Sequence, residues 1–421
     1  MSESPRHFVA VIGGAVSGSV AAETLADRGI EVVVIEQNDR PYGKIEDGLP
    51  RWHVHQRTKE YAKIDARLSK PRIHYLPRTK LGRDLDFTEL SETWGLSAVL
   101  LANGAWRDRP LPFPDADDYI GKGIEYQNPL IYWFNHKEED DFPGRRIHVP
   151  EGTIVFGGGL ASIDVMKVCQ MEIYQRALRK RGIETDTVQM EKKGIPAICA
   201  QHGIEDPAEL GVENCMLVYR RRRIDMPLAQ PPAGATPEQM EKVFATRDKL
   251  LGLAEKKFLF RYQDKTLPYE LITEDGHVKG VKVRRTEVEG RKATPIPGTE
   301  DVIQTGLIVG SIGSIPEPIE GIRMNGHVFD FQDWDLGIYS AEKGIFGIGN
   351  VVTGQGNIRK SLLHAQLVCK HLEEHYFPDR APLPPEKVGE IRERVRALQE
   401  RVGYSGNYEE WISKVTPPHM R

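Results

Sequence analysis

Residues 8–36, FVAVIGGAVSGSVAAETLADRGIEVVVIE, constrain this chain more than any other stretch. Residues 8–12 are an unbroken apolar run, long enough for one buried strand. Gly13, Gly14 and Gly18 follow as a tight turn, and residues 19–27 are small or helix-favouring. Gly29 stands where a helix-terminating glycine belongs. A second apolar run, 30–35, ends on the acid Glu36. Strand, glycine turn, helix, strand and acid make a βαβ dinucleotide-binding unit.

Each part has a physical task. The turn lets backbone N–H groups approach a pyrophosphate, and the helix N-terminus brings its partial positive charge there. Gly18 allows the helix to lie close on the strand. Glu36 is placed to accept hydrogen bonds from a ribose, which argues against a 2′-phosphate at this first site. One position departs from the pattern: Ala15 occupies the usual second glycine, and its methyl crowds the phosphate turn.

At 421 residues the chain exceeds one comfortable core, so two or three domains are expected. Hydrophobic residues at 39% and charged residues at 28% describe an ordinary globular chain, and a net charge of −4 gives no pull toward nucleic acid or anionic membrane. No apolar run approaches the roughly 20 residues that span a bilayer. The first strand starts so early that no signal peptide is expected, and the expected location is cytoplasmic. Cys169, Cys199, Cys215 and Cys369 are isolated, which excludes a paired redox disulfide and a four-thiolate cluster. No metal site is expected. Cys169 falls in an apolar helical pattern and reads as a small buried hydrophobe.

Further along, 40–53 (RPYGKIEDGLPRWH) reads as an irregular loop, and 56–69 as a helix. Residues 73–76 and 80–85 look like short strands crossing over the first domain. Residues 98–105 form an apolar strand running into Ala102, Asn103 and Gly104.

A second fingerprint follows. Residues 152–156 read as a strand, and Gly157, Gly158, Gly159, Leu160, Ala161 and Ser162 give G-x-G-x-x-S before a long helix. The next strand of this unit, 216–219, runs into Arg220, Arg221, Arg222 and Arg223, where an acid would stand for an unphosphorylated ribose. Guanidinium forks there suit a 2′-phosphate, so the expected ligand is NADPH, with NADH as the alternative and Arg220 and Arg221 as the readers of the phosphate. Residues 182–213 read as irregular and 238–257 as a helix. Residues 258–262, 271–272 and 278–285 read as antiparallel strands, with Asp275-Gly276 as a hairpin turn. Residues 301–310 read as one strand, followed by Gly313, that leads the chain back to the first domain.

Near the end, 345–348 is a short strand followed by Gly349 and Asn350, and the small-residue turn 353–357 precedes a helix starting near Ile358. Backbone N–H groups at such a turn can approach the carbonyl edge of a flavin ring. His364 on that helix reads as a packing or polar-core residue. The segment 377–387 is a proline-rich linker, and 387–402 is a charged amphipathic helix, either solvated or docked on a second subunit.

Over residues 6–375 the chain resembles the adrenodoxin-reductase and glutamate-synthase small-subunit group of FAD-dependent NADPH reductases. Pro41, Gly43, Gly48 and His53 match a Pro-x-Gly…Gly…His loop beside the flavin, and 349–358 is similar to the group's last flavin turn. Residues 210–227, with Val218, Tyr219, Arg220 and Arg221 inside, are similar to the glutamate-synthase branch. Lys44 and Glu46 depart from the loop's usual residues. The glutamate-synthase branch also carries N-terminal cysteine-ligated clusters, and no such extension is expected here. The resemblance implies an α/β architecture of two Rossmann-like domains. A discontinuous FAD domain (1–145 and 330–375) would carry an inserted NADPH domain (146–329), with a C-terminal linker and helix (376–421). It implies an FAD site at Gly13, Gly14, Ala15, Ser17, Gly18, Glu36, Gln37, Gly43, Gly48, Asn103, Gly104, Gly349, Asn350, Gly356, Asn357 and Ile358. The NADPH site would comprise Gly157, Gly159, Leu160, Ala161, Ser162, Arg220, Arg221 and Gly313. His53 would hydrogen-bond or relay a proton near the flavin.

The activity so implied is hydride transfer from NADPH to flavin and delivery of electrons to a ferredoxin-type or other partner protein. Arg176, Arg179, Lys180 and Arg181 are a candidate patch for an acidic partner. Two other functions fit parts of the sequence. A flavoenzyme acting directly on a small molecule would show an apolar cavity over the flavin, and a non-catalytic nucleotide-binding protein would purify colourless.

Overall fold

The computed structural model describes residues 7–140, 142–232 and 234–417. The chain separates into two compact units, one comprising the residues up to Leu49, His53–Arg107 and Ser314 onward, the other Pro50–Trp52 and Asp108–Gly313. The changes of unit at 107/108 and 313/314 differ from the boundaries at 145/146 and 329/330 read from the sequence.

In the first unit, β1 (Phe8–Ile12), β2 (Glu31–Ile35), β3 (Ile73–Leu76) and β4 (Ala98–Leu101) form a parallel sheet. Strand Ile345–Gly347 extends it beside β4, and Ile338–Ser340 closes that edge antiparallel. The continuous apolar runs are explained by burial on both faces. Val9, Val11, Val32, Val34 and Leu100 point into one core with helix α1 (Val16–Ala26) and the helix Ile358–His371. Phe8, Ala10, Ile12, Val33 and Ile35 point into another with Trp94, Phe329 and Ile391.

Residues 80–85, read as a strand, form a turn instead: Gly82 takes φ +86°, and only an isolated bridge joins Leu81 to Leu85. The helix Pro385–Arg401 buries Val388, Ile391 and Val395 in the first unit's own core, so its apolar face is covered within the chain. Its Arg392 reaches Glu31. Burial would raise the Glu31 carboxyl, but hydrogen bonds from His74 and Arg392 outweigh it and bring the group to about 2.

In the second unit, β5 (Ile124–Tyr126), β6 (Ile154–Gly157), β7 (Met216–Val218), β8 (Arg261–Gln263) and β9 (Ile308–Ser311) form a parallel sheet in the order β5-β9-β6-β7-β8. The long helix α2 (Leu160–Arg179) follows β6. The hairpin Thr266–Glu274/His277–Glu289 turns at Asp275 and Gly276, both at positive φ as an Asp-Gly turn requires. Three readings need correction here. The strand read at 258–262 is β8, and it pairs parallel with β7 rather than antiparallel. Residues 182–213 are not irregular, because helices Thr187–Lys193 and Ile195–Gln201 bury Met190, Ile195, Ile198 and Cys199. The run 301–310 is two strands, Asp301–Gln304 on the hairpin and β9 in the parallel sheet. Thr305 makes the break, its hydroxyl donating to the carbonyl of Gly152 at 3.0 Å.

Candidate functional site

The first unit's register aligns Ile12 with Ile35 and Leu101, and Leu101 with Gly347. Gly13, Glu36, Ala102–Gly104 and Ile348–Asn350 therefore leave the sheet at one carboxyl edge, where open α/β sheets bind ligands. Gly18 sits against the turn: a Cβ there would stand 1.8 Å from the carbonyl oxygen of Gly13. Gly13 has φ +102°, and a Cβ on it would meet the Ala102 carbonyl oxygen at 2.8 Å. Ala15 is the N-cap of α1 and offers no side-chain cap, leaving the first N–H groups to a ligand. Its methyl is accommodated by Gly43, where an added Cβ would stand 3.0 Å from it. Ser17 is buried, and Gly349 (φ +72°) would bring a Cβ within 2.6 Å of its hydroxyl.

Glu36 is buried and accepts from the N–H groups of Gly14 at 2.9 Å and Asn38 at 3.0 Å. Burial pushes its carboxyl up to about 7 against the pull of those N–H bonds. Gln37 beside it is half-buried. Gly43 (φ +53°) starts the short helix Lys44–Asp47, which Gly48 ends. The departures in this loop are structural: Glu46 pairs with Arg40, and Lys44 Nζ donates to Ser314 Oγ at 3.0 Å. His53 is half-buried at the N-cap of helix Val54–Leu68.

Two observations test whether these residues suit a bound dinucleotide. The Oδ1 atoms of Asn103 and Asn350 are buried with no hydrogen-bond partner among the described residues. Such a buried acceptor is costly unless a ligand or water satisfies it. A Cβ at Gly104 or Gly356 would meet open space, so the edge is not filled by protein. The residues fit such a group. Asn357 serves the fold: its side chain caps the helix Ile358–His371, accepting from Lys360 N–H at 3.1 Å. Ile358 is half-buried beside the sheet core. His364 also acts on the edge, since its Nδ1 accepts from Gly349 N–H at 3.0 Å and fixes that turn. Burial lowers its imidazole, against the carbonyls of Trp334 and Asp335.

The second unit repeats the device. A Cβ on Gly157 would meet Ser162 Oγ at 2.1 Å, and one on Gly158 would enter the Tyr219 ring at 2.2 Å. Ser162 replaces the third glycine and uses its hydroxyl to bridge α2 to β9, donating to Ser311 O at 2.9 Å. Gly159 is the N-cap of α2 without a side-chain cap, and the space at Gly159 and Gly313 (φ +106°) is open. Leu160 is 59% exposed, and Ala161 is exposed beside it.

The four arginines divide. Arg222 pairs with Asp225, and Arg223 with Asp248 and Glu255. Arg220 is exposed, and Arg221 lies on Tyr219, its Nε donating to the phenol at 2.9 Å. Among the described residues no carboxylate pairs with either. Tyr219, which sets Arg221, carries no ligand signal of its own in the sequence. The run Arg176–Arg181 is largely spent within the fold: Arg176 donates to Val149 O, Arg179 pairs with Glu184, and Arg181 donates to Glu209 O. All four cysteines are free and buried. Among the described residues no helix is long and apolar enough to cross a membrane.

Comparison with known proteins agrees with this geometry. Residues 11–56 match the family described as NAD(P)-binding Rossmann-like domain. The chain is 24% identical over 326 residues to the NADPH-Fe(3+) oxidoreductase subunit beta of Geobacter sulfurreducens, covering 73% of this chain and 37% of that protein. It is 30% identical over 172 residues to a probable ferredoxin/ferredoxin–NADP reductase of Mycobacterium tuberculosis, covering 40% of this chain and 28% of that one. The chain thus spans well under half the length of both relatives. Mycobacterium tuberculosis FprA in complex with NADPH shares the fold, with a TM-score of 0.69 at 18% identity, covering 94% of this chain and 91% of that one. The chain is thus a two-unit Rossmann protein by fold, similar in sequence over part of its length to proteins named as ferredoxin–NADP reductase and NADPH-Fe(3+) oxidoreductase.

Proposed function

We propose that the chain is an NADPH-dependent FAD reductase that passes electrons to a ferredoxin-type or other partner protein. One observation carries this reading: each unit has a glycine turn at a sheet edge, but one is followed by an acid, Glu36, and the other by Arg220 and Arg221, which pair with no carboxylate among the described residues. An acid suits the ribose hydroxyls of FAD, and guanidiniums suit the 2′-phosphate of NADPH. The similar proteins named ferredoxin–NADP reductase and NADPH-Fe(3+) oxidoreductase point the same way.

In this reading Gly13–Gly18 and the N-terminus of α1 hold the FAD pyrophosphate. Asn103, Asn350 and the turn at Gly356 hold the flavin end. Gly157–Ser162 and Arg220–Arg221 hold NADPH. Bound FAD would supply the hydride acceptor and store the electrons for delivery in pairs or singly. The protein's part is to bind, orient and exclude water, with His53 proposed to hydrogen-bond or relay a proton near the flavin. The test is anaerobic stopped-flow absorbance of the purified protein with NADPH and, separately, NADH. Rapid bleaching of a yellow protein by NADPH and slower bleaching by NADH is expected. A protein that stays colourless after FAD addition would overturn the reading.

Glu36 adds a pH signature. Its carboxyl keeps a proton up to about 7 in the ligand-free protein, whereas the ribose hydroxyls are best received by the ionised form. FAD affinity should therefore fall by up to about tenfold per pH unit below that value and be flat above it. The apoprotein carries the opposite dependence: the unfolded chain ionises first, so folding stability falls as pH rises from the ordinary carboxylate range to about 7. FAD titration of the apoprotein by flavin fluorescence checks the first slope, which Glu36→Gln should abolish. The same slope in Glu36→Gln would assign it elsewhere.

A further inference from the structure

Beyond the carboxyl edge itself, the loop 37–48 carries an unusual set of tethers, and they come from the far end of the chain. Trp411 Nε1 donates to Asp39 O at 2.8 Å. Arg40 Nη1 donates to Val415 O at 2.7 Å, so a loop residue caps the C-terminus of the helix Tyr408–Val415. Tyr408 and Tyr42 both donate to Asp65, at 2.7 Å and 3.1 Å. Tyr408 and Trp411 are buried, so these are formed core contacts rather than surface encounters.

The same loop presses on the phosphate turn. A Cβ on Gly14 would stand 2.7 Å from Pro41 Cβ, and one on Gly43 would stand 3.0 Å from Ala15 Cβ. There is no slack between loop and turn. The loop's own bonds, the Arg40–Glu46 pair and the N–H bonds of Ile45 to Gly48, close its short helical turn but do not fix where that turn lies. Its position is set by what it is tied to.

We infer that the segment 404–416 is a strap that sets the conformation of loop 37–48, making Tyr408 and Trp411 positioning residues for the FAD site. Neither residue touches the edge itself. Trp411 acts through Asp39, and Tyr408 through the Asp65 carboxylate it shares with Tyr42, while Val415 of the same segment holds Arg40. The inference rests on the FAD reading of that edge for its functional consequence, but not for its structural one.

The test is amide hydrogen exchange across residues 38–48 in the full-length chain, paired with FAD titration. The variants are Trp411→Phe, Tyr408→Phe and the two together. The N–H groups of Ile45, Glu46, Asp47 and Gly48 are all hydrogen-bonded within the loop, so their protection reads its order directly. Tyr408→Phe removes only a hydroxyl and should fold even if the double variant does not. Faster loop exchange by roughly tenfold, with weaker FAD binding of similar size, is expected for the double variant, and a smaller change for each single one. Glu393→Gln, an exposed change on the preceding helix, should leave both readings as in the parent. Unchanged loop exchange in all three variants would overturn the strap. A parent protein that binds no FAD would overturn the flavin reading instead, while the exchange data would still decide the strap.

Discussion

If the first unit's edge is the FAD site, Gly18→Ala should yield a protein that holds no FAD and unfolds more readily than the parent. The added methyl would stand 1.8 Å from a backbone carbonyl oxygen, a distance no side-chain rotation relieves. Either α1 moves off β1 or the Gly13 turn opens, and both destroy the phosphate seat. Such overpacking costs roughly 1–3 kcal/mol, more than offsetting the gain of about 1 kcal/mol that alanine brings to a helix interior. Gly389→Ala supplies the contrast. It adds the same methyl to the helix Pro385–Arg401, where a Cβ meets nothing within 4 Å, and should stabilise the protein slightly. Thermal melting and the 450 nm absorbance of the purified variants check both. A yellow, fully stable Gly18→Ala protein would refute the packing argument.

The second large effect concerns coenzyme choice. Replacing Arg220 and Arg221 together with Ala should raise KM for NADPH by about a hundredfold or more, since each charge-assisted hydrogen bond to phosphate contributes about 1.5–3 kcal/mol. The KM for NADH should change less than about threefold, because its ribose carries no phosphate to lose. Arg223→Ala behaves differently: this guanidinium is held between Asp248 and Glu255, so its loss should lower thermal stability and leave coenzyme preference intact. Steady-state kinetics with both coenzymes separates the cases. Equal losses for NADPH and NADH in the double variant would mean that the arginines do not read the 2′-phosphate.

Both effects trace to residues visible in the sequence, and the reason is local. Gly13, Gly18 and Glu36, like Gly157 and Ser162, sit at fixed spacings inside one supersecondary unit, so the chain order carries the geometry. Which arginines are available was not visible in the same way. Only the fold brings Asp248 and Glu255, a helix away, against Arg223. Residues 80–85 look like a short strand in the sequence, yet Gly82 at positive φ makes them a turn. The stretch 182–213 looked irregular because its apolar residues are spaced for two short helices rather than one long one. The tail reads as a charged amphipathic helix, solvated or docked on a second subunit, because charge dominates its composition while Val388, Ile391, Val395 and Leu398 carry its apolar stripe into the first unit's core. The role of Tyr408 and Trp411 had no sequence signal, because their partners Asp39 and Asp65 lie more than three hundred positions earlier.

The interruption of the first unit has a consequence for biosynthesis. Residues 108–313, nearly the whole of the second unit, are continuous and can be completed while the first unit is still short of its strand Ile345–Gly347. Until that strand leaves the ribosome, the free side of β4 is an unpaired edge of Ala98, Val99, Leu100 and Leu101, the kind of edge that recruits stray chains. The nascent protein thus carries this open edge throughout the interval between residues 101 and 345, and a stop between 313 and 345 would release a finished second unit attached to an open first one.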